Sequence, residues 1–162
     1  MVSIMNEALQ LEVGQKVLEV GAGSGWHAAT IAEIIASSDT PRSGWGHVYT
    51  VEIIEGLAEF ARRNILKAKY GDRITIICTD GSMGFSEKAP YDRILVTAAA
   101  PDIPEPLIKQ LKTNGIMLIP IGSMHLFQTL MKITKEANGK TRKENLGGVA
   151  FVPLTGRHGH KS

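Results

Sequence analysis

Residues 17–26 read VLEVGAGSGW. A short apolar run that breaks into alternating glycines is the pattern of a buried strand handing over to a helix through a tight turn. Glycine enters left-handed backbone at little steric cost and lets a ligand approach the main chain. The spacing predicts a strand over 16–20 and a helix over 24–36, with Ala28, Ile31, Ala32 and Ile35 on one face and Ser24 as a capping residue near its start. Outward from this unit the alternation repeats. HVYTVE at 47–52 reads as a second strand, 54–69 as a helix carrying Leu57, Phe60, Ala61 and Ile65 on one face, and RITIIC at 73–78 as a third strand. DRILVT at 92–97, a helix over about 105–111 introduced by Pro104, and a strand over 116–120 beside Gly115 continue the series. Strands alternating with helices predict an α/β fold: a doubly wound, mostly parallel, Rossmann-like sheet with helices on both faces. Beyond Gly122 the texture changes. LFQTLMKIT alternates apolar and polar residues, a turn falls at Asn138 and Gly139, and 149–154 is apolar again, which predicts an antiparallel pair finishing the sheet. The stretch SSDTPRSGWG at 37–46 has no period and reads as a loop.

The chain has 162 residues, enough for a single domain over 1–162 and too few for two ordinary ones. Hydrophobic residues at 43% and charged residues at 21% exclude a disordered chain and a coiled coil. Eighteen basic residues against sixteen acidic ones leave a net charge of +2, spread along the chain, so neither nucleic acid nor a membrane surface is expected as a partner. No apolar run approaches the roughly 20 residues of a membrane span, and the opening residues lack a leader pattern; a cytoplasmic protein is expected. Its one cysteine, Cys78, excludes an internal disulfide and a cysteine-based metal site, and is expected to pack in a strand as a small hydrophobe.

The glycine turn selects among ligands. A dinucleotide fingerprint GxGxxG would need glycine at 26, where this chain has Trp26. The carboxylate of Glu19, two residues before Gly21, would repel a pyrophosphate, which tells against a nicotinamide-dependent oxidoreductase. A cationic ligand fits better, and S-adenosylmethionine carries a sulfonium and an ammonium group. Glu52 closes the second strand, where this fold presents a carboxylate to ribose hydroxyls, and Asp80 with Gly81 follows the third. Three carboxylates at three strand ends converge on one crevice. Other residues receive plainer readings: His27 as half-exposed, His158 and His160 as a polar tail with no third metal ligand, and Ser3 as a helix cap. Trp26 packs under the turn or stacks on a ligand, Trp45 lies in the irregular loop, and Met117, Met124 and Met131 read as core or edge.

VLEVGAGSGW, VYTVE, TDGSMGF, APYDRILVTAAAPDIPEPLIKQLKTNGIMLIPIG and GGVAFVPLTG resemble, in order and spacing, the protein-L-isoaspartate O-methyltransferase family, particularly its archaeal members. The resemblance covers most of the chain. It implies S-adenosylmethionine as cofactor and the repair of damaged proteins, in which a methyl group passes to the free carboxylate of an L-isoaspartyl residue and the ester then collapses to a succinimide. By family pattern Gly21 lies against the cofactor's methionine part, Glu52 binds the ribose with Ile53 beside the adenine, and Asp80 with Gly81 contacts the adenine amino group; Gly23 and Gly25 of the same glycine turn are cofactor-binding candidates with Gly21. The stretch after VPLT resembles a segment that folds back toward the cofactor, which makes Thr155 a further candidate. Isoaspartyl peptides and proteins are the implied partners, and a monomer or weak homodimer is the expected state.

Members of the family also carry several dozen residues before the segment corresponding to MVSIMNEALQL, including a TxSxP motif over the substrate. That motif is absent from this sequence, so the chain is expected to be shortened at its N-terminus and its catalytic residues are unassigned. The alternative reading is a methyltransferase fold that binds cofactor with little or no isoaspartyl activity, or a binding module that docks a partner on the uncovered crevice. The chemistry asks little of side chains in any case. A carboxylate is ionised at neutral pH without a general base, so holding the two reacting centres in line in a dry pocket is the main contribution expected of the protein.

Overall fold

The structure is a computed structural model that describes residues 1–123 and 127–161. In chain order it comprises α1 (Val2–Leu9), β1 (Lys16–Val20), α2 (Trp26–Ile35), β2 (His47–Glu52), α3 (Glu55–Lys67), β3 (Ile74–Cys78), β4 (Tyr91–Val96), α4 (Glu105–Gln110), β5 (Leu111–Gly122), β6 (Gln128–Lys135) and β7 (Thr141–Val149). All seven strands form one sheet in the order β3-β2-β1-β4-β5-β6-β7. The first five are parallel, and β6 and β7 add antiparallel strands at one edge.

The alternation of side chains along β1 separates two cores. Val17 faces a core built with Met5 and Leu9 of α1, Ile31 and Ile35 of α2 and Ile65 of α3. Leu18 and Val20 face the other, built with Tyr91, Leu107, Leu111, Met117 and Leu154. A strand apolar on both sides belongs inside a parallel sheet covered on both faces, which is why the strand ends are so legible. Each fully buried Ile or Leu contributes about 1.5–3 kcal/mol relative to exposure, so these two layers hold the sheet in place.

Several expectations need correction. The strand that pairs with β6 is the polar stretch β7, with Lys135 opposite Thr141, and not the apolar run 149–154. The turn at Asn138 and Gly139 reverses the chain immediately, and an edge strand can be polar because one margin and much of its surface meet water. On α3 the buried stripe is Ala58, Ala61 and Ile65, whereas Leu57 and Phe60 are 38% and 43% exposed. Cys78 is exposed at the end of the edge strand β3. Trp26 is 67% exposed at the start of α2 and does not pack under the turn. Ser3 lies inside α1, whose N-cap is Met1 with no side-chain capping bond. At α2 the N-cap is Gly25, and the Ser24 hydroxyl accepts only a long bond of 3.4 Å from the Trp26 N–H. The loop at 37–46 is organised around Trp45, whose indole N–H donates to the carbonyls of Ser37 and Thr40 and whose ring packs against the guanidinium of Arg73. Met117 is core and Met131 half-buried. Met124, and Leu126 at the start of LFQTLMKIT, lie outside the described residues.

Candidate functional site

From β1 the chain moves to β2 on one side of the sheet, while β4 lies on the other. This switch point opens a crevice at the carboxyl ends of the strands, where open α/β sheets hold their ligands. A cavity of about 430 Å³ lies there, lined by Gly21, Gly23, Glu52, Ile53, Gly81, Thr97 and Thr155 among others.

Its floor is bare backbone. Gly21 sits at φ 98, its N–H donates to the Val51 carbonyl at 2.8 Å, and a Cβ there would run into the Thr97 hydroxyl. That hydroxyl contacts the carbonyl oxygens of Gly21 at 2.8 Å and Val20 at 3.0 Å, so the loop after β4 fixes the turn after β1. A Cβ on Gly81 would lie 2.6 Å from Val20 Cγ1 and 3.4 Å from Val51 Cγ1. The two glycines therefore leave a surface on which a flat or extended ligand can lie against the main chain.

Glu52 connects the turns on either side of the cavity. Its Oε2 accepts the Gly23 N–H and its Oε1 accepts the Ile54 N–H, both at 3.1 Å, and the side chain is nearly buried. A carboxylate has about four acceptor positions, so two remain for hydroxyl groups in the cavity that it lines.

Three candidates from the sequence stand off the cavity wall. Glu19 is fully buried and projects from the other face of β1 from Val20. Its Oε2 accepts the Thr50 hydroxyl at 2.5 Å while Oε1 has no partner. Burial pushes its carboxyl up to about 8, the Thr50 hydrogen bond opposes that rise, and the nearby Glu52 charge adds to it. Gly25 caps α2, and a Cβ there would press on the Ile65 side chain at 3.1 Å, so this glycine brings α3 close to the turn. Asp80 lines an adjoining, shallower hollow with Thr79 and Met83. Its carboxylate is engaged within the protein. Oδ1 accepts the N–H and hydroxyl of Ser82 at 2.9 and 2.7 Å, and Oδ2 accepts the Arg157 N–H at 2.7 Å. Partial burial works to raise the Asp80 pKa, but these N–H and O–H donors outweigh it and hold the carboxyl below its ordinary value.

The remaining wall is an irregular strap at 151–160. Val152, Pro153, Leu154 and Thr155 line the cavity. Ala99 holds the strap by two backbone bonds, its N–H donating to Val152 O at 2.8 Å and its carbonyl accepting the Leu154 N–H at 2.7 Å. Thr97, Ala98, Ile54, Leu57 and the strap's residues 152–154 were not among the sequence candidates. The position of Thr97 just beyond the end of β4 was the available signal, because β4 borders the switch point. His27 bonds to the Asn6 side chain at 2.9 Å, and burial, then the N-terminal ammonium, lower its pKa to about 4. Among the described residues no group of His, Cys, Asp and Glu is arranged to hold a metal ion.

The model of the protein-L-isoaspartate(D-aspartate) O-methyltransferase family matches residues 1–159. A protein-L-isoaspartate O-methyltransferase from Hyperthermus butylicus is 58% identical over 98% of this chain and 66% of its own length. One from Thermococcus onnurineus is 52% identical over 99% of this chain and 69% of its own. The chain thus spans about two thirds of the length of these relatives. Among solved structures, a protein-L-isoaspartate O-methyltransferase superposes with a TM-score of 0.86 at 27% identity, over 98% of this chain and 47% of that one. A beta-aspartate methyltransferase of this kind from Plasmodium falciparum, in complex with S-adenosyl-L-homocysteine, superposes with a TM-score of 0.78 at 28% identity, over 95% and 71% of the two chains. With the glycine floor, the Glu52 bridge and a family match over nearly its whole length, the chain belongs to the protein-L-isoaspartate(D-aspartate) O-methyltransferase family.

Proposed function

We propose that the chain binds S-adenosylmethionine in the cavity after β1, β2 and β4, and that the protein transfers the methyl group to the free carboxylate of L-isoaspartyl residues in damaged proteins. The observation that carries the reading is the cradle itself: Gly21 and Gly81 line the cavity as bare main chain, with no room for a Cβ against Thr97 and Val20, next to a carboxylate with acceptor capacity to spare. Gly21 and Gly23 would approach the methionine part, Glu52 the ribose hydroxyls, and Ile53, Gly81 and Thr155 the remainder. When bound, the sulfonium supplies an activated methyl group whose leaving group needs no protonation. The protein's part is to orient and to exclude water. Ile53, Leu57, Val152 and Leu154 give the cavity apolar walls, and a low-dielectric pocket favours a transfer in which opposite charges cancel. Glu19 lies beneath this site, and burial pushes its carboxyl up to about 8, so it is protonated at neutral pH and adds no charge to the site.

Calorimetric titration with S-adenosylhomocysteine tests the cofactor half, and labelled methyl transfer to an isoaspartyl peptide, with the normal aspartyl peptide as control, tests the other. Absence of binding would refute the site. A second reading, binding without isoaspartyl methylation, is supported by the coverage, since about a third of each relative lies outside the matched region; binding with no label transferred is its signature. Among the described residues no helix is long and apolar enough to cross a membrane. The same proposal has the protein working in the cytoplasm as a monomer or weak homodimer on peptide rather than nucleic acid, in keeping with a net charge of only +2 and a single unpaired cysteine.

A further inference from the structure

We infer that the margin of β3 is a dimer interface, at which two copies of this chain join edge to edge about Ile76 with the outer sides of their α3 helices meeting over the seam. β3 ends the sheet, with β2 on its inner side and no strand on its outer side among the described residues. The Val48 N–H donates to Arg73 O and the Thr79 N–H to Glu52 O, both at 3.0 Å, so Arg73, Thr75, Ile77 and Thr79 turn their main chain toward β2. Bonding alternates along a parallel strand, and Ile74, Ile76 and Cys78 therefore turn theirs outward. The Ile74 N–H is taken by Tyr70 O at 3.1 Å. That leaves the Ile74 C=O and both main-chain groups of Ile76 and Cys78 along the margin.

This set is complementary to itself. A two-fold axis at Ile76 lays the strand antiparallel to its own copy, so that each Ile76 N–H meets the Ile76 C=O of the second copy and each Cys78 N–H meets the Ile74 C=O of the second copy. The same patch is used twice, and the contact closes at two copies. Residues 74–78 read ITIIC, with none of the charge, proline or glycine by which edge strands resist pairing. Over the margin stands Arg62 of α3, whose guanidinium makes a long contact of 3.5 Å to Ile76 O and pairs with Glu59 at 2.6 Å on the exposed side of the helix. In the joined pair Ile76 O passes to the N–H of the second copy, and two arginines and two glutamates share the seam as a neutral set. Leu66, one turn further along α3 and 63% exposed, gains cover there. A short strand and one side of a helix make a small interface, so the dimer is a weak one.

The inference gives the proposed weak homodimer its surface and does not depend on the ligand, since the cavity is lined by other residues. Sedimentation velocity of the full chain without ligand, over about 1 µM to 1 mM, follows association of the wild type, Ile76→Pro, Arg62→Glu and Glu59→Arg/Arg62→Glu. Proline at 76 removes an outward N–H and no bond to β2. The expected result is a concentration-dependent dimer in the wild type, at least tenfold weaker in Ile76→Pro and in Arg62→Glu, with wild-type association restored in the double reversal. Glu59 and Arg62 are exposed, so these variants serve if Ile76→Pro does not fold. Directly opposed, hydrogen-bonded residues have Cα atoms about 5.5 Å apart, within disulfide range. Mild oxidation of Ile76→Cys in a Cys78→Ser background should therefore trap a covalent dimer, and Asn145→Cys on β7 in the same background should not. A chain that sediments as a monomer throughout overturns the inference and leaves the margin to an extended strand of another protein. A dimer that neither Ile76→Pro nor Arg62→Glu weakens overturns it too, as does equal trapping at 76 and 145. Failure to bind S-adenosylhomocysteine would defeat the cofactor reading and leave the sedimentation result standing.

Discussion

The two walls of the cavity are held by opposite means. On one side Gly21, Gly23 and Gly81 stand in turns that follow the parallel strands β1 and β3, and Glu52 ties the turn after β1 to the one after β2 by accepting the N–H groups of Gly23 and Ile54. On the other side the strap has neither helix nor extended ladder, and its place depends on a few distant groups: Gln128, Ala99, Asp80 and Ser82. Few anchors and no ladder make the second wall the one expected to show the faster local exchange.

The contrast breaks most visibly at Gly21. Gly21→Ala combines left-handed backbone with a clash against Thr97 and should cost about 2–4 kcal/mol of unfolding free energy in denaturant melts. Adding Thr97→Ala removes the clash and leaves the backbone strain, so a double-mutant cycle should show a clear coupling between the two positions. Additive costs would mean that the turn is not set by Thr97. Next in size, Glu52→Ala leaves the N–H groups of Gly23 and Ile54 unpaired, an expected loss of about 1–3 kcal/mol. It should also weaken S-adenosylhomocysteine at least tenfold by calorimetry; unchanged affinity would remove Glu52 from the site.

Beneath the first wall, Glu19 adds a pH dependence. Its carboxyl is protonated in the folded chain up to about pH 8 but ionises in the unfolded chain above its ordinary 4.5. The stability it contributes is thus complete below the ordinary value and is lost as pH rises toward the folded one. Unfolding free energy of the ligand-free protein should fall across that window with a slope of up to about 1.4 kcal/mol per pH unit, and Glu19→Gln should flatten it. A slope of the same size in Glu19→Gln would locate the titration elsewhere. The smallest expected effect is at the strap's root, where Gln128→Ala should cost about 1 kcal/mol yet speed exchange at Phe151 more than anywhere in β1. Equal acceleration in both places would erase the distinction between the walls.

The first wall was legible because its causes are local. Parallel strands buried on both faces announce themselves as apolar runs, and β1 and β2 begin and end where the pattern placed them. Gly21, Gly23 and Glu52 follow from the same units by the rule for strand ends. The strap was not legible in the same way. In the run 149–154 Val149 and Phe151 pack against the core while 152–154 wall the cavity, which in sequence looks the same as a buried strand, and β7 is polar because it has water along one margin. Leu57 misled for a related reason: apolar residues around a crevice need not be buried, and Leu57 lines the cavity, whereas Phe60 is simply exposed. The bond between Asp80 and Arg157 joins residues far apart in the chain and involves a backbone N–H, which any residue but proline supplies.

The outer strand β7 has a bearing on how such a protein lives among its proposed substrates. Damaged chains expose unpaired strands, and a sheet with an open margin invites them to add on. Here the margin carries Arg142, Lys143 and Glu144, all exposed, and then Gly147 at φ 110. A strand laid alongside would have to strip water from those charges and follow a backbone that leaves the extended form. Under the proposed function, a protein that handles flexible peptide at its crevice is thereby guarded against pairing with the same peptide along β7.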